Sequence, residues 1–222
     1  MIKSILYLSL VCSTLLMFSF NVVTKSIKND VSKIEYNKKT MVFASYTVKD
    51  FSKWEKVYKQ NVDTAAKLAY LSSIDDITKV GVYQFTQGHD NFRKNKNPKQ
   101  LKDFNIKAGI NSTPDYQYLN VMWMNPELPK KEYYIIISHK VVDFVKWKVD
   151  FDLNRANRGY IGITDVFVAT YENDINNVTM ALATDNYEMC KALFTDEEVI
   201  GVLKKAGVVG ELDISYWKVK SN

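Results

Sequence analysis

The chain has 222 residues, 46% of them hydrophobic and 25% charged, with a formal net charge of +5 from 30 basic and 25 acidic side chains. That balance excludes a disordered, collagenous or disulfide-stapled chain, and a small, evenly spread charge makes no case for a nucleic-acid partner. Such a length holds one domain of about 200 residues or two of about 100, and either can bury a core.

At the N-terminus, Lys3 stands ahead of an apolar run from Ile5 to Val23. Residues 1–24 therefore read as an export signal, with an uncleaved membrane anchor as the alternative. The expected location is periplasmic, secreted or membrane-anchored, and the membrane is a partner only if the segment stays on. Cys12 lies inside it, which leaves Cys190 without an internal disulfide partner and reads it as a buried helix residue.

After a linker over 25–40, the pattern predicts a strand from Met41 to Val48, a helix from Phe51 to Ala69 and a weaker hairpin ending in Val80 to Phe85. A second helix runs to Lys107, with His89 at or just before its start, and a strand follows from Tyr116 to Trp123. Its basic stretch, Arg93, Lys94, Lys96, Lys99 and Lys102, reads as a solvated helix face. Residues 124–132, with Pro126 and Pro129, form a linker.

The order then recurs. Tyr134 to Val142 reads as a strand running into a helix N-capped by Asp143, with Val142 and Trp147 at the spacing of a hydrophobic staple and Gly159 as the stop. Strands from Ile163 to Tyr171 and from Val178 to Thr184 flank the polar turn Glu172 to Asn177. A helix from Tyr187 to Lys205 ends before Gly207, and Leu212 to Val219 closes the unit.

Ser45 to Trp54 matches Ser138 to Trp147 at an offset of 93, sharing Ser, Val, Asp, Phe, Lys and Trp, and Lys107-Ala108-Gly109 matches Lys205-Ala206-Gly207 at an offset of 98. Two ferredoxin-like βαββαβ units result, 41–123 and 133–222. Each sheet would have one face under its helices and one bare. Packing the bare faces together within the chain gives an α+β fold in the form of an intrachain dimeric α/β barrel, a monomer or weak homodimer.

On the residues His139-Lys140-Val141-Val142-Asp143-Phe144, Trp147, Phe151-Asp152, Arg155, Gly159 and Lys205 to Gly210, the second unit resembles the small dimeric α/β-barrel proteins related to antibiotic-biosynthesis monooxygenases. The first unit matches only at Asp50, Phe51, Trp54 and Lys107-Ala108-Gly109. The resemblance implies the barrel fold. If the protein is catalytic, it implies cofactor-free oxidation or isomerisation of an enolisable or aromatic substrate, with His139 as general base and Arg155 or Arg158 holding an oxyanion. The superfamily also contains haem-degrading and binding proteins, so haem on His139 is the one cofactor kept in view.

The residues carry part of this on their own. His139 shares a strand face with Ile135, Ile137 and Val141, expected to face the barrel, and it stands where the first unit has Tyr46, a candidate ligand contact. Phe144, Trp147, Phe151, Arg155 and Arg158 fall in one stripe at about 100° per residue, and the counterparts of the arginines are Val62 and Ala65. The alternative for the arginines is pairing with Asp152 and solvent. Two histidines and no cysteine cluster make no zinc site, and no phosphate loop or dinucleotide fingerprint occurs. The expected function is an exported barrel binding a small, partly apolar molecule, anionic if it meets the arginines, in a cavity between the units or beneath their rim. A non-catalytic envelope interaction protein of the same fold is the alternative.

Overall fold

The structure, a computed structural model, describes residues 39–61, 70–94 and 98–220. Residues 1–24, which carry the expected export signal, most of the first linker, Val62 and Ala65 lie outside these. Among the described residues no helix is long and apolar enough to cross a membrane.

The first unit runs β1 Thr40–Thr47, α1 Phe51–Asn61, β2 Tyr70–Ser73, β3 Lys79–Thr86, α2 His89–Lys94, α3 Pro98–Ala108 and β4 Asp115–Met124. The second runs β5 Tyr133–Val141, α4 Phe144–Leu153, α5 Arg155–Tyr160, β6 Thr164–Tyr171, β7 Asp174–Thr184, α6 Tyr187–Thr195, α7 Glu197–Lys205 and β8 Val208–Lys220. The strands close into one barrel in the order β1-β3-β2-β8-β5-β7-β6-β4. Two joints, β2 with β8 and β4 with β6, are antiparallel and equivalent: Leu71 faces Val219 at one, and Val121 faces Ala169, 98 residues beyond Leu71, at the other. The tandem ferredoxin-like reading is thus realised as a barrel inside a single chain.

The matched sequence blocks occupy matched places. Asp143 Oδ1 accepts from Val145 N at 2.9 Å and Lys146 N at 3.1 Å, while Asp50 Oδ1 accepts from Lys53 N at 2.9 Å. Both carboxylates satisfy amides that a helix start leaves open. Gly109 and Gly207 turn the chain at φ 72° and 93°, and their carbonyls accept from Lys49 N and Val142 N, each at 2.9 Å.

Several boundaries differ from the sequence reading. The single helix expected to stop at Gly159 is two, broken at Asn154, and the second continues to Tyr160, with Gly162 at φ 80° making the turn. The helix from Tyr187 to Lys205 is two helices, because Asp196 caps α7 by accepting from Glu198 N at 2.8 Å and Val199 N at 3.3 Å. No staple forms: Trp147 is buried while Val142 points to solvent, 68% exposed. β7 starts at Asp174, so the turn after Tyr171 is tight rather than six residues long. Cys190 is a buried helix residue. Arg93 leaves the solvated face and pairs with Glu172 of the other unit, beside a 3.1 Å contact from His89 Nδ1 to the same carboxylate.

The barrel interior is filled. Phe43 stacks on Tyr83 at 4.5 Å, meets Trp217 edge-on at 5.8 Å, and Tyr83 meets Phe167 at 5.1 Å. Gly81 is what admits Phe43, since a Cβ there would lie 2.8 Å from its ring. Each such aromatic contributes about 1.5–3 kcal/mol by leaving water. The expected cavity between the units is therefore absent from this packed centre, and open space lies elsewhere.

Candidate ligand cleft

Outside the barrel, each helix layer rests on its own sheet through an aromatic stack. In the first unit Trp54 stacks on Tyr58 at 4.9 Å and meets Tyr70 at 5.5 Å. In the second, Trp147 stacks on Phe151 at 5.1 Å. By sheet register the counterpart of Tyr70 is Val168, since Tyr70 faces Val82 and Val168 faces Met180. By the second repeat offset, Phe104 becomes Val202. Smaller side chains here leave the second helix layer less tightly filled.

A cleft of about 140 Å³ opens there, between α4 and α5 on one side and α6 and α7 on the other, over the outer face of β7. Trp147, Phe151, Met180, Leu182, Phe194 and Leu203 give it an apolar wall. Asn154, Asn157, Arg158 and Asp150 bring polar groups to it. An apolar cavity of about 150 Å³ accommodates a benzene ring, which sets the scale of an occupant.

The two arginines are engaged already. Arg158 donates from Nε and Nη2 to the two oxygens of Asp165, at 2.8 and 2.7 Å, and from Nη1 to the Phe151 carbonyl at 2.9 Å. Its guanidinium lies 3.7 Å above the Phe151 ring. Arg155 donates to Asp165 and Asp152, each at 3.0 Å, and lies 4.2 Å above Trp123 of the first unit. Asp165, only 3% exposed, thus neutralises cations that the sequence left free, and the reason is a long-range one: it sits on β6, ten residues beyond Arg155. The expected Asp152 contact is present; Arg158 turns inward to Asp165, while Arg155 reaches Asp165 with its side chain still 45% exposed.

His139 does not face the barrel. Its strand face, with Ile135, Ile137 and Val141, packs beneath the helices, and its ring lies 5.2 Å from Trp147. Both ring nitrogens are buried without a hydrogen-bond partner, and burial lowers the pKa to about 4. The ring is therefore neutral at pH 7 and sealed from the cleft by Trp147. Tyr46 occupies the same place in the first unit, where its hydroxyl accepts from Trp54 Nε1 at 3.2 Å. Neither residue lines the cleft. A haem on His139 does not fit the side chain as it stands, since both of its nitrogens are buried although the residue borders the rim hollow, and the cleft wall has no histidine, cysteine or tyrosine. No cluster that could hold a metal ion occurs among the described residues.

At the barrel rim, Ser138, His139, Lys140, Tyr171, Asn177, Glu211 and Asp213 surround a shallow polar hollow of about 340 Å³, open to solvent, with both ring nitrogens of His139 buried.

Asp150 is the residue that the sequence reading missed. It lies three residues beyond Trp147 and four before Asn154, so it shares the face of α4 that lines the cleft. Its carboxylate makes no ion pair or side-chain hydrogen bond among the described residues, and partial burial raises its pKa. An acid inside the stripe of Trp147, Phe151 and Arg158 was the available signal.

No family model matches the chain, and no curated protein does. Solved structures do. An anthrone oxidase-like protein superposes with a TM-score of 0.56 at 13% identity, over 84% of this chain and 93% of that one. A putative monooxygenase from Lactobacillus acidophilus NCFM gives 0.55 at 11%, over 82% and 94%. A ferredoxin-fold protein related to antibiotic biosynthesis monooxygenases, from Listeria monocytogenes 4b F2365, gives 0.51 at 10%, over 86% and 99%. The likeness spans both units, and it is one of fold.

Proposed function

We propose that this is an exported protein that binds a small, largely apolar molecule in the cleft under the helices of its second unit. The observation that carries the reading is the cleft itself: an apolar wall of ring-sized capacity with a few polar groups at its edge, the usual make-up of a small-molecule site. The first unit holds the bulkier Phe104 where the cleft wall has Val202, which favours binding in the second unit.

The experiment is a titration of the purified chain with ring-sized ligands, followed by tryptophan fluorescence, to which Trp147 contributes, and by ligand-detected NMR. Binding to the wild type, and its loss in Leu203→Trp, which fills the cleft, is the expected result. Equal binding by both chains would count against the site. Export rests on the apolar run Ile5 to Val23 behind Lys3. The intact mass of the protein recovered from its own host tests it, a chain shortened by about 24 residues being expected of a cleaved signal.

Oxygenase-type chemistry is the second reading, favoured by fold neighbours described as an anthrone oxidase-like protein and a putative monooxygenase. Proton abstraction would then fall to Asp150 rather than His139, because Asp150 is the one carboxylate that lines the cleft. Turnover of an enolisable aromatic by the wild type and its loss in Asp150→Asn is the outcome this reading requires.

A further inference from the structure

The charges around the cleft are unevenly used. Arg158 spends its guanidinium on Asp165 and the Phe151 carbonyl, and Arg155 spends its own on Asp165 and Asp152. Lys148 is paired with Asp152 as well. Asp150 has none of these partners, although it stands on the same helix face as Trp147 and Phe151 and lines the same apolar space. A ligand anion would therefore meet arginines whose charge is already answered and a carboxylate whose charge is not. Bringing an anion beside Asp150 costs repulsion in a poorly solvated cleft, whereas a cationic donor supplies the hydrogen bond that Asp150 lacks.

The geometry points to a ligand of the opposite sign from the one the two arginines suggest: a ring-sized apolar molecule bearing a protonated amine, whose ammonium group is held by the Asp150 carboxylate while the ring lies against Trp147, Phe151, Met180 and Leu203. This rests on the cleft being the binding site and specifies its ligand class. Asp150 is half-buried, which suits a ligand whose ring enters first and whose charged end stays near solvent. The raised pKa of Asp150 agrees with a carboxylate that is short of donors in the empty protein.

The test uses three probes of matched size on the purified chain: benzylamine, charged at pH 7, benzyl alcohol, and benzoate. Titration by tryptophan fluorescence, with ligand-detected NMR as a second readout, gives three affinities. Benzylamine is expected to bind roughly tenfold or more tightly than benzoate, the worth of a charge-assisted hydrogen bond. In Asp150→Asn that preference should fall to near parity, with a far-UV circular dichroism spectrum and urea midpoint close to those of the wild type showing that the variant is folded. The net charge of +5 favours benzoate everywhere else on the surface, so a preference for the ammonium cannot come from bulk electrostatics. Equal or tighter binding of benzoate, or an ammonium preference that survives in Asp150→Asn, overturns the inference and leaves the cleft as a binding site. Failure of all three probes to bind the wild type, with no response lost in Leu203→Trp, overturns the cleft reading and this inference together.

Discussion

At the level of single residues, the two units place different chemistry on one scaffold position. Tyr46 and His139 stand at the same point of their strands and each packs on the tryptophan of its own helix, yet Tyr46 receives the indole N–H and His139 receives nothing. A buried imidazole without partners stays neutral, and its pKa of about 4 lies below the ordinary value of 6.5. The unfolded chain therefore binds a proton that the folded chain refuses between these values. Stability from this residue is complete above pH 6.5 and is lost as pH falls toward 4, by about 3 kcal/mol in full. His139→Tyr, which copies the first unit, should remove that slope: urea midpoints at pH 7 and pH 4.5 should differ less in the variant than in the wild type. An unchanged difference would mean that the imidazole finds a proton acceptor on folding. Asp165 calls for a second measurement. It is the common partner of Arg155 and Arg158, and its removal leaves Arg158, 15% exposed at its side chain, without a counter-charge. Asp165→Ala should lower the unfolding free energy by about 3 kcal/mol with an unaltered denaturant slope. A loss under about 1 kcal/mol would show that both guanidinium groups reach water instead.

At the level of elements, each unit closes with the same device, a helix that ends on a glycine whose carbonyl ties back to the chain just beyond the first strand. Gly109 and Gly207 hold positive φ, where a side chain costs about 1–2 kcal/mol, so Gly109→Ala and Gly207→Ala should each lower the melting temperature by several degrees. Similar losses in both are expected, because the turns are counterparts; a loss confined to one would separate the units. The repeat that carries these glycines was legible because identical local geometry demands identical residues: an aspartate cap, a tryptophan one turn on, a glycine at left-handed φ. Boundaries set by competition were harder. Thr195 to Glu198 contains a cap and two acids, a helix start that was hidden inside a longer apolar period, and Val142 fits a staple in spacing while the strand exit turns it to solvent. The face of β5 was not legible at all. Tyr134 and Ile136 on one side and Ile135 and Ile137 on the other are equally apolar, so alternation gives two faces without saying which one the helices cover. That ambiguity is why His139 was expected in the barrel, and why the cleft, which depends on helices from opposite ends of the unit, had to come from the fold. Arg155 and Arg158 were found by period alone, but their partner Asp165 lies on a different element, beyond the reach of any helical spacing.

At the level of the molecule, the barrel divides its interior unequally between the two halves. The positions that hold Leu71 and Tyr83 in the first unit hold Ala169 and Ala181 in the second, by the same register that equates the two joints. Large side chains from one unit thus fill the space left by small ones from the other. Size complementarity of this kind favours the mixed pair over either pair of identical units. A fragment from Lys131 to Asn222 exposes the edges of β6 and β8 and the apolar face of Tyr134, Ile136, Phe167 and Trp217, and it should associate with itself to cover them. Its self-pairing sets alanine against alanine at the centre and leaves a void, so the dimer should be weaker than the native barrel. Mixing it with a fragment spanning residues 39–130 should replace that dimer by a one-to-one complex, visible by native mass spectrometry and sedimentation, with the Arg93–Glu172 contact restored across the joint. Persistence of the self-paired fragment in an equimolar mixture would mean that the alanines make no difference to partner choice. A soluble, monomeric second fragment would strike deeper, because the closed barrel would then be no requirement for the stability of either half.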